Sequence, residues 1–413
     1  MAKKNRPIAG IDIGTTKICC VIAEANPDGI DLLGIGVSPS RGLRKGIVVN
    51  LTETIASVKA SLALAESQAQ AEVESAYVSI GGTHLRGVNS QGQTEVQSRG
   101  HEITGEDVDR AIAAAQTLEL PDSHEVIHVL TQGFRVDDQI DIVNPLGMCG
   151  RELGVHLHLV VNSSAVVQNI VSAVNKSGVV VDAVVMQQLA SSQSILSEDE
   201  MELGTVLVDI GGGTTDLAVY SHKSICHSAV LAMGGAMITK DIAIGLRTPI
   251  QEAEQLKKEA GCAFPESVPS EEVVEISEVG SGCQRSVSRQ RLCRIVRARC
   301  DEILQAVAKT IHEVGVDQEL ITGLVLTGGG SLLDGLRDRA EQITEMPVRL
   351  GYPVNVVAPE SEVFHPAYCT ALGLIQYARN QGRLAQFQWG TLRSATPRPA
   401  TERIKDWILE RIG

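Results

Sequence analysis

Two aspartates, Asp12 and Asp209, each stand at the end of an apolar run and precede a glycine-rich turn that carries paired threonines. The first phrase is GIDIGTTKICCVI from Gly10, and the second is VDIGGGTTDLAVY from Val208. Gly14 in one turn, and Gly211, Gly212 and Gly213 in the other, let backbone approach phosphate oxygens with no Cβ in the way. Thr15, Thr16, Thr214 and Thr215 add hydroxyl donors. Lys17 either adds a positive charge to the phosphates or faces solvent. Asp12 and Asp209 would repel phosphate directly, but they suit a hydrated Mg²⁺, which keeps several waters and takes few protein ligands. One such turn is only a hairpin; two of them, in the two halves of a chain, predict the jaws of a clamp for a magnesium-bound triphosphate. A third phrase, GLVLTGGGSLLDGL from Gly323 to Leu336, reads as a strand, a glycine turn and a helix start. Gly328, Gly329, Gly330 and Ser331 there would seat a nucleotide against a favourable helix dipole.

The apolar runs beside these turns predict the elements that carry them. From Ile8 to Val37, short β-rich runs alternate with turns, as in an antiparallel meander. Leu51 to Gln70 has helical spacing, Val73 to Ile80 returns to strand, and the scheme restarts at Thr205. That alternation predicts an α/β fold with helices packed on sheets. Between Ile80 and Val161 the rhythm changes. A helix over Asp107 to Leu118 and strands over Val126 to Val136 and Val155 to Val161 suggest a small inserted α/β unit. A second insert, Gln251 to Lys309, opens with a charged helix and holds Arg285, Arg289, Arg291, Arg294, Arg297 and Arg299. These arginines are either a solvated helix face or a docking patch for an acidic peptide.

From about Gly382 the periodicity is lost in a Pro-, Ser- and Thr-containing tether, and the chain ends in RIKDWILERIG. Ile404, Trp407, Ile408 and Ile412 fall on one apolar stripe whose flanking charges nearly cancel. The stripe suits a membrane surface, entered chiefly by Trp and Ile; it also suits docking on the protein's own body.

Bulk properties narrow the class. The 413 residues can bury a large core in two or more domains. A net charge of −14 and only 3% aromatic residues argue against a nucleic-acid partner, which needs basic surfaces and stacking platforms. Nine cysteines without a CxxC pattern read as reduced cytoplasmic thiols. MAKKNRPIAGIDIG does not read as a signal peptide, and no apolar run approaches membrane-span length. His156 and His158 read as alternating strand residues rather than metal ligands, because no third ligand is evident.

The order of phosphate hairpin, connecting helix, second hairpin, glycine loop and last helix resembles the actin, Hsp70 and sugar-kinase superfamily. Within it, SRGLRKGIVVN (Ser40 to Asn50), LASSQSILSEDE (Leu189 to Glu200), TPIQEAEQLKKEAGCA (Thr248 to Ala263) and YCTALGLIQYA (Tyr368 to Ala378) are similar to the FtsA family of bacterial division proteins. The resemblance implies an actin-like two-lobed ATPase fold of duplicated RNase H-like domains, with an inserted subdomain and a C-terminal amphipathic helix. It divides the chain into subdomain 1A (1–83, 163–203 and a return at 351–381), inserted subdomain 1C (84–162), 2A (204–246 and 311–350), 2B (247–310), a linker (382–401) and a membrane-targeting helix (402–413). It also implies ATP and Mg²⁺ as cofactors, with Glu254 and Lys257 at the ribose and adenine; their i, i+3 spacing lets both reach one ligand, or marks a solvated charged helix. The implied partners are the FtsZ C-terminal peptide, further copies of the chain in a filament, later division proteins and the lipid surface. The implied place is the cytoplasmic side of the cell membrane, peripherally, at the division site.

Asp12, Asp209 and Gln188 are the catalytic candidates. VVMQQLASS supplies Gln187 and Gln188 where related proteins often carry an acid or a placed glutamine. An amide orients water but cannot deprotonate it, so at most weak ATPase activity is expected. A metabolite kinase of the same superfamily and the actin-like adaptor of type IV pili are the alternatives.

Overall fold

The computed structural model describes residues 7–98, 100–117, 120–121, 123–280, 282–315, 320–358 and 361–384. The expected membrane helix, with Ile404, Trp407, Ile408 and Ile412, lies outside the described residues.

Two sheets repeat one topology. The first runs Val180–Met186, Ser75–Ile80, Ile8–Ile13, Lys17–Ala25, Ile30–Pro39 and Val356–Val357 in spatial order. The second runs Ser224–Leu231, Thr215–Ser221, Thr205–Ile210, Leu324–Thr327 and Val348–Leu350. In each, a strand ending in the aspartate pairs antiparallel with its hairpin partner and parallel with a later strand on its other side. The parallel pairings require long crossovers, which the helices provide. The inner residues Ile11, Cys20, Ile22 and Val78 of the first sheet, and Val206, Val208 and Leu326 of the second, are buried in separate cores.

A third, four-stranded sheet forms within residues 86–163: Arg86–Glu95, Glu152–Ser163, His124–Val136 and Gln139–Ile142. Helix Gly105–Ala115 packs Val108, Ala111 and Ile112 onto it. This helix begins two residues earlier than expected, because Asp107 accepts from the Thr104 N–H at 2.9 Å and so lies inside the first turn. The unit rests on the outer strand of the second sheet through His158, whose Nε2 is 2.8 Å from Ser228 Oγ. His156, its neighbour in the HxH pattern, faces solvent. Among the described residues no helix is long and apolar enough to cross a membrane.

The two lobes are joined where helix Gln187–Ile195 crosses helix Cys369–Leu384. A Cβ added at Gly373 would lie 1.8 Å from the Ala190 carbonyl oxygen, so only glycine permits this crossing. Arg349 of the second sheet clamps the end of the crossing, bonding Glu200 through Nε at 2.5 Å and Nη2 at 2.7 Å, and the Ile195 carbonyl at 3.2 Å. Gly373→Ala must spread two packed helices and should cost about 2–3 kcal/mol. Denaturant titration checks this; a midpoint equal to that of the parent would show that the crossing is loose.

Candidate functional site

Each hairpin tip is shaped by its own strand register. In the first, Asp12 lies opposite Cys19 and the turn closes with Gly14 N–H donating to Lys17 O at 3.1 Å. In the second, Asp209 lies opposite Asp216 and Gly211 N–H donates to Thr214 O at 3.0 Å. The tips meet. A Cβ on Gly212 would lie 2.2 Å from Thr16 Cγ2, and one on Gly213 would lie 2.7 Å from Thr15 Oγ1. The carbonyls of the second tip are occupied, since Gly235 and Ala236 donate to Gly211 O and Gly212 O at 2.9 and 2.8 Å. Among the described residues, the N–H groups of Thr15, Thr16, Gly212 and Gly213 donate to no backbone acceptor. Unused donors at the contact of two tips are what an anion requires.

Carboxylates line the floor. Asp12 is buried and accepts from Ser79 Oγ at 2.8 Å and Gln187 Nε2 at 3.2 Å. Asp209 is half-buried and accepts from Thr370 Oγ1 at 3.4 Å. Gly328, left-handed at φ +80°, presses on it; a Cβ there would be 2.2 Å from Asp209 Oδ1. Asp216 is buried and accepts from Thr214 Oγ1 at 2.8 Å and Gln188 Nε2 at 3.1 Å. Burial, reinforced by the charge of Asp12, pushes Asp209 up to about 7, against the pull of Lys17 and Thr370. Burial and the charge of Asp209 push Asp216 up to about 7 as well.

The sign of the resulting pH effect follows from linkage. A carboxyl whose folded pKa lies above its unfolded value stabilises fully below the unfolded pKa and loses that contribution as pH rises through the folded one. The ligand-free protein should therefore lose stability between about pH 4 and pH 7 on account of this pair. Thermal melts across that range check it, with Asp216→Asn expected to flatten the slope.

The remaining sequence candidates fall into three groups. Lys17 is half-buried and engaged: its ammonium donates to Ala367 O and lies 4.3 Å from the centroid of the Tyr368 ring. Glu254 and Lys257 pair at 2.7 Å, and Lys257 also reaches Gly235 O at 3.2 Å, so both adjoin the helix whose first amides hold the second tip. In the glycine loop, Gly330 lies against Ile210 and Ser331 Oγ donates to Gly328 O at 2.7 Å. A short 3₁₀ turn, Gly329–Leu332, follows the glycines, and the α-helix begins only at Leu336. The helix dipole expected at this loop is therefore displaced, because Gly335, at φ +72°, interrupts the chain before the helix.

Gln188 requires a correction. It has no exposed surface; Nε2 is held by Asp216 and, at 3.4 Å, by Ala229 O, while Oε1 has no partner. It braces Asp216 from the buried side. Gln187 is half-buried, with Nε2 on Asp12 Oδ1 and Oε1 against Gly81. Sequence reasoning missed Asp216, Ser79 and the first turn of helix Gly235–Leu246, whose Gly235 and Ala236 amides hold the second tip. Superposing the two phrases would have found Asp216, which stands seven residues after Asp209 where the first phrase has Cys19.

The arginine cluster also divides. Arg289 binds Glu272 at 2.8 Å, Arg297 binds Glu266 at 2.5 Å and Arg299 binds Asp241 at 2.6 Å. Arg285 and Arg291 donate to Leu246 O and Gly245 O. Arg294 has no ion-pair partner among the described residues; with Arg291, Ile295, Ala298 and the Arg299–Asp241–Glu302 ion-pair group it lines an open groove of about 490 Å³.

Known proteins share the sequence and the fold of this chain. The family model described as "Cell division protein FtsA" matches residues 206–373, and that described as "SHS2 domain inserted in FTSA" matches 82–161. Cell division protein FtsA of Pseudomonas aeruginosa is 38% identical, and that of Escherichia coli K12 is 34% identical, each over 98% of both chains. Among solved structures, the PilM–PilN type IV pilus biogenesis complex is similar with a TM-score of 0.65 at 17% identity, covering 89% of this chain and 97% of that one. MreB5 of Spiroplasma citri bound to ADP is similar with a TM-score of 0.53 at 14% identity, covering 93% and 99%. The fold is actin-like.

Proposed function

The chain belongs to the FtsA family of cell division proteins, and from that premise we propose that it binds ATP, polymerises at the membrane and anchors the FtsZ ring there. The observation that supports this most directly is the meeting of the two glycine tips, with unused N–H donors above a floor of aspartates. Gly14, Thr15, Thr16, Gly211, Gly212, Gly213, Thr214 and Thr215 would hold the phosphates. Glu254, Lys257 and the Gly328–Ser331 loop would hold the nucleoside. Lys17 would steady the floor from its seat on Tyr368 rather than bind phosphate.

No three carboxylate, histidine or cysteine side chains among the described residues converge to bind a metal directly. Mg²⁺ would then be held by Asp12 and Asp209 through water, and when bound it offsets the charge that phosphate brings to these acids. No acid or histidine stands where Gln187 does, so turnover is slow and nucleotide serves mainly to set filament geometry. The groove beside Arg291 and Arg294 would take the acidic FtsZ C-terminal peptide. The terminal stripe would hold the filament to the cytoplasmic side of the membrane, where later division proteins are recruited. The subdomain limits drawn from the sequence are part of this proposal.

The test is co-sedimentation with liposomes in Mg²⁺ and ATP, comparing the full chain with one ending at Gln388. The full chain should pellet with lipid and the shortened one should stay in the supernatant. Equal pelleting would remove the membrane tail from the reading.

A further inference from the structure

The segment Ser40–Asn50 lies beside the first glycine tip. It forms a miniature hairpin, Leu43–Arg44 paired with Ile47–Val48, closed by a two-residue turn at Lys45 and Gly46. Both turn residues are left-handed, at φ +50° and +78°, the geometry that matches the twist of a tight hairpin. The base is bolted down: Val49 and Asn50 donate to Gly42 O at 2.8 and 3.0 Å, and Arg41 N–H reaches Ser57 Oγ at 3.1 Å. Ser40 N–H donates to Thr16 O at 3.0 Å, tying the segment to the first phosphate tip.

Its tip lies at that same place. Gly46 N–H donates to Thr15 Oγ1 at 3.2 Å. A Cβ on Gly46 would be 2.6 Å from Gly82 Cα, and one on Gly81 would be 1.9 Å from Gln187 Oε1. The hairpin tip, Gly81–Gly82 and Gln187 are thus stacked into one corner beside Asp12. Arg44 and Lys45 are exposed and have no ion-pair partner among the described residues. Lys17, the other cation here, is already committed to Ala367 O and Tyr368.

We propose that the Arg44–Lys45–Gly46 tip reads the terminal phosphate of a nucleoside triphosphate and so separates it from a diphosphate. The inference rests on the nucleotide reading above and gives the cleft a direction. Glu254 and Lys257 stand behind the second tip, at the nucleoside end, whereas this hairpin leans on the first tip, at the opposite end. A phosphate arriving at Thr15 competes for the hydroxyl that now holds Gly46 and frees the Gly46 amide to donate to it. Over a floor of three aspartates, the added charge needs a cation that nothing else has claimed, and Arg44 and Lys45 are such cations. Because the base is fixed to Thr16 and to helix Leu51–Ala69, movement of the tip is transmitted to the first lobe.

The test uses full-length protein with Arg44→Ser and Lys45→Asn together; asparagine tolerates the left-handed position. ATP and ADP affinities are measured in Mg²⁺ by competition against a fluorescent nucleotide. The double variant should weaken ATP by about five-fold or more while ADP stays within about two-fold, as removal of charge-assisted contacts to one phosphate predicts. Equal weakening of both nucleotides, or no change in either, overturns the proposal. If the unmodified protein binds neither nucleotide, the clamp reading itself falls, which is a separate result visible before any variant is made.

Discussion

Asp209→Ala should abolish ATP retention while making the ligand-free protein more stable. The two effects have one cause. Asp209 sits between Asp216, its cross-strand partner, and Gly328, which crowds Oδ1. Burial and the charge of Asp12 already hold its carboxyl up to about 7. Without a cation the site is therefore electrostatically strained, and removing one carboxylate relieves it. With Mg²⁺ and nucleotide bound as proposed, the same carboxylate would become the counter-charge to the cation, and its loss should weaken ATP by roughly 100-fold or more, the size expected when one partner of a hydrogen-bonded charge pair is truncated. Equilibrium binding and thermal melting of the same preparation check both halves. Unchanged ATP affinity would remove the clamp. Lost affinity with a lower melting temperature would mean that Asp209 supports the fold, contrary to the strain described above.

The elements were readable in the sequence where the pattern is local. The two hairpins announce themselves by apolar runs broken by Asp–Gly turns, and their register follows from the length of each turn. The change of rhythm after Ile80 marks the inserted sheet, because its strands and its one helix have their own spacing. What depends on distant pairing was not readable. Asp216 reads as an ordinary residue after two threonines; it joins the floor only when the hairpin sets it opposite Asp209 and the connecting helix delivers Gln188 beneath it. Choosing between Gln187 and Gln188 needed the helix phase, since successive residues on a helix face directions about 100° apart. Lys17 could go to either side until Tyr368, at the end of the 3₁₀ turn before the last helix, supplies a ring face. The glycine loop is legible as a turn, but the residue that delays its helix, Gly335, acts through a backbone angle that composition does not reveal.

Trp407→Glu should release the protein from liposomes. In the terminal stripe, Arg403, Lys405 and Arg411 are matched by Glu402, Asp406 and Glu410, so attraction to anionic lipid contributes little net force. Binding then rests on the apolar face, in which Trp407 is the largest side chain and the one suited to the interface. Each copy should lose on the order of 2 kcal/mol or more when a charge replaces it. As proposed, the stripe would hold a single copy weakly, and a filament would multiply the modest attraction of each copy into firm attachment. The same multiplication makes the loss steep, so pelleting with lipid in ATP and Mg²⁺ should fall to background. Trp407→Phe, which keeps an apolar ring, should retain most of it. Undiminished pelleting of the glutamate variant would assign the stripe to the protein's own body, with attachment supplied elsewhere in the chain.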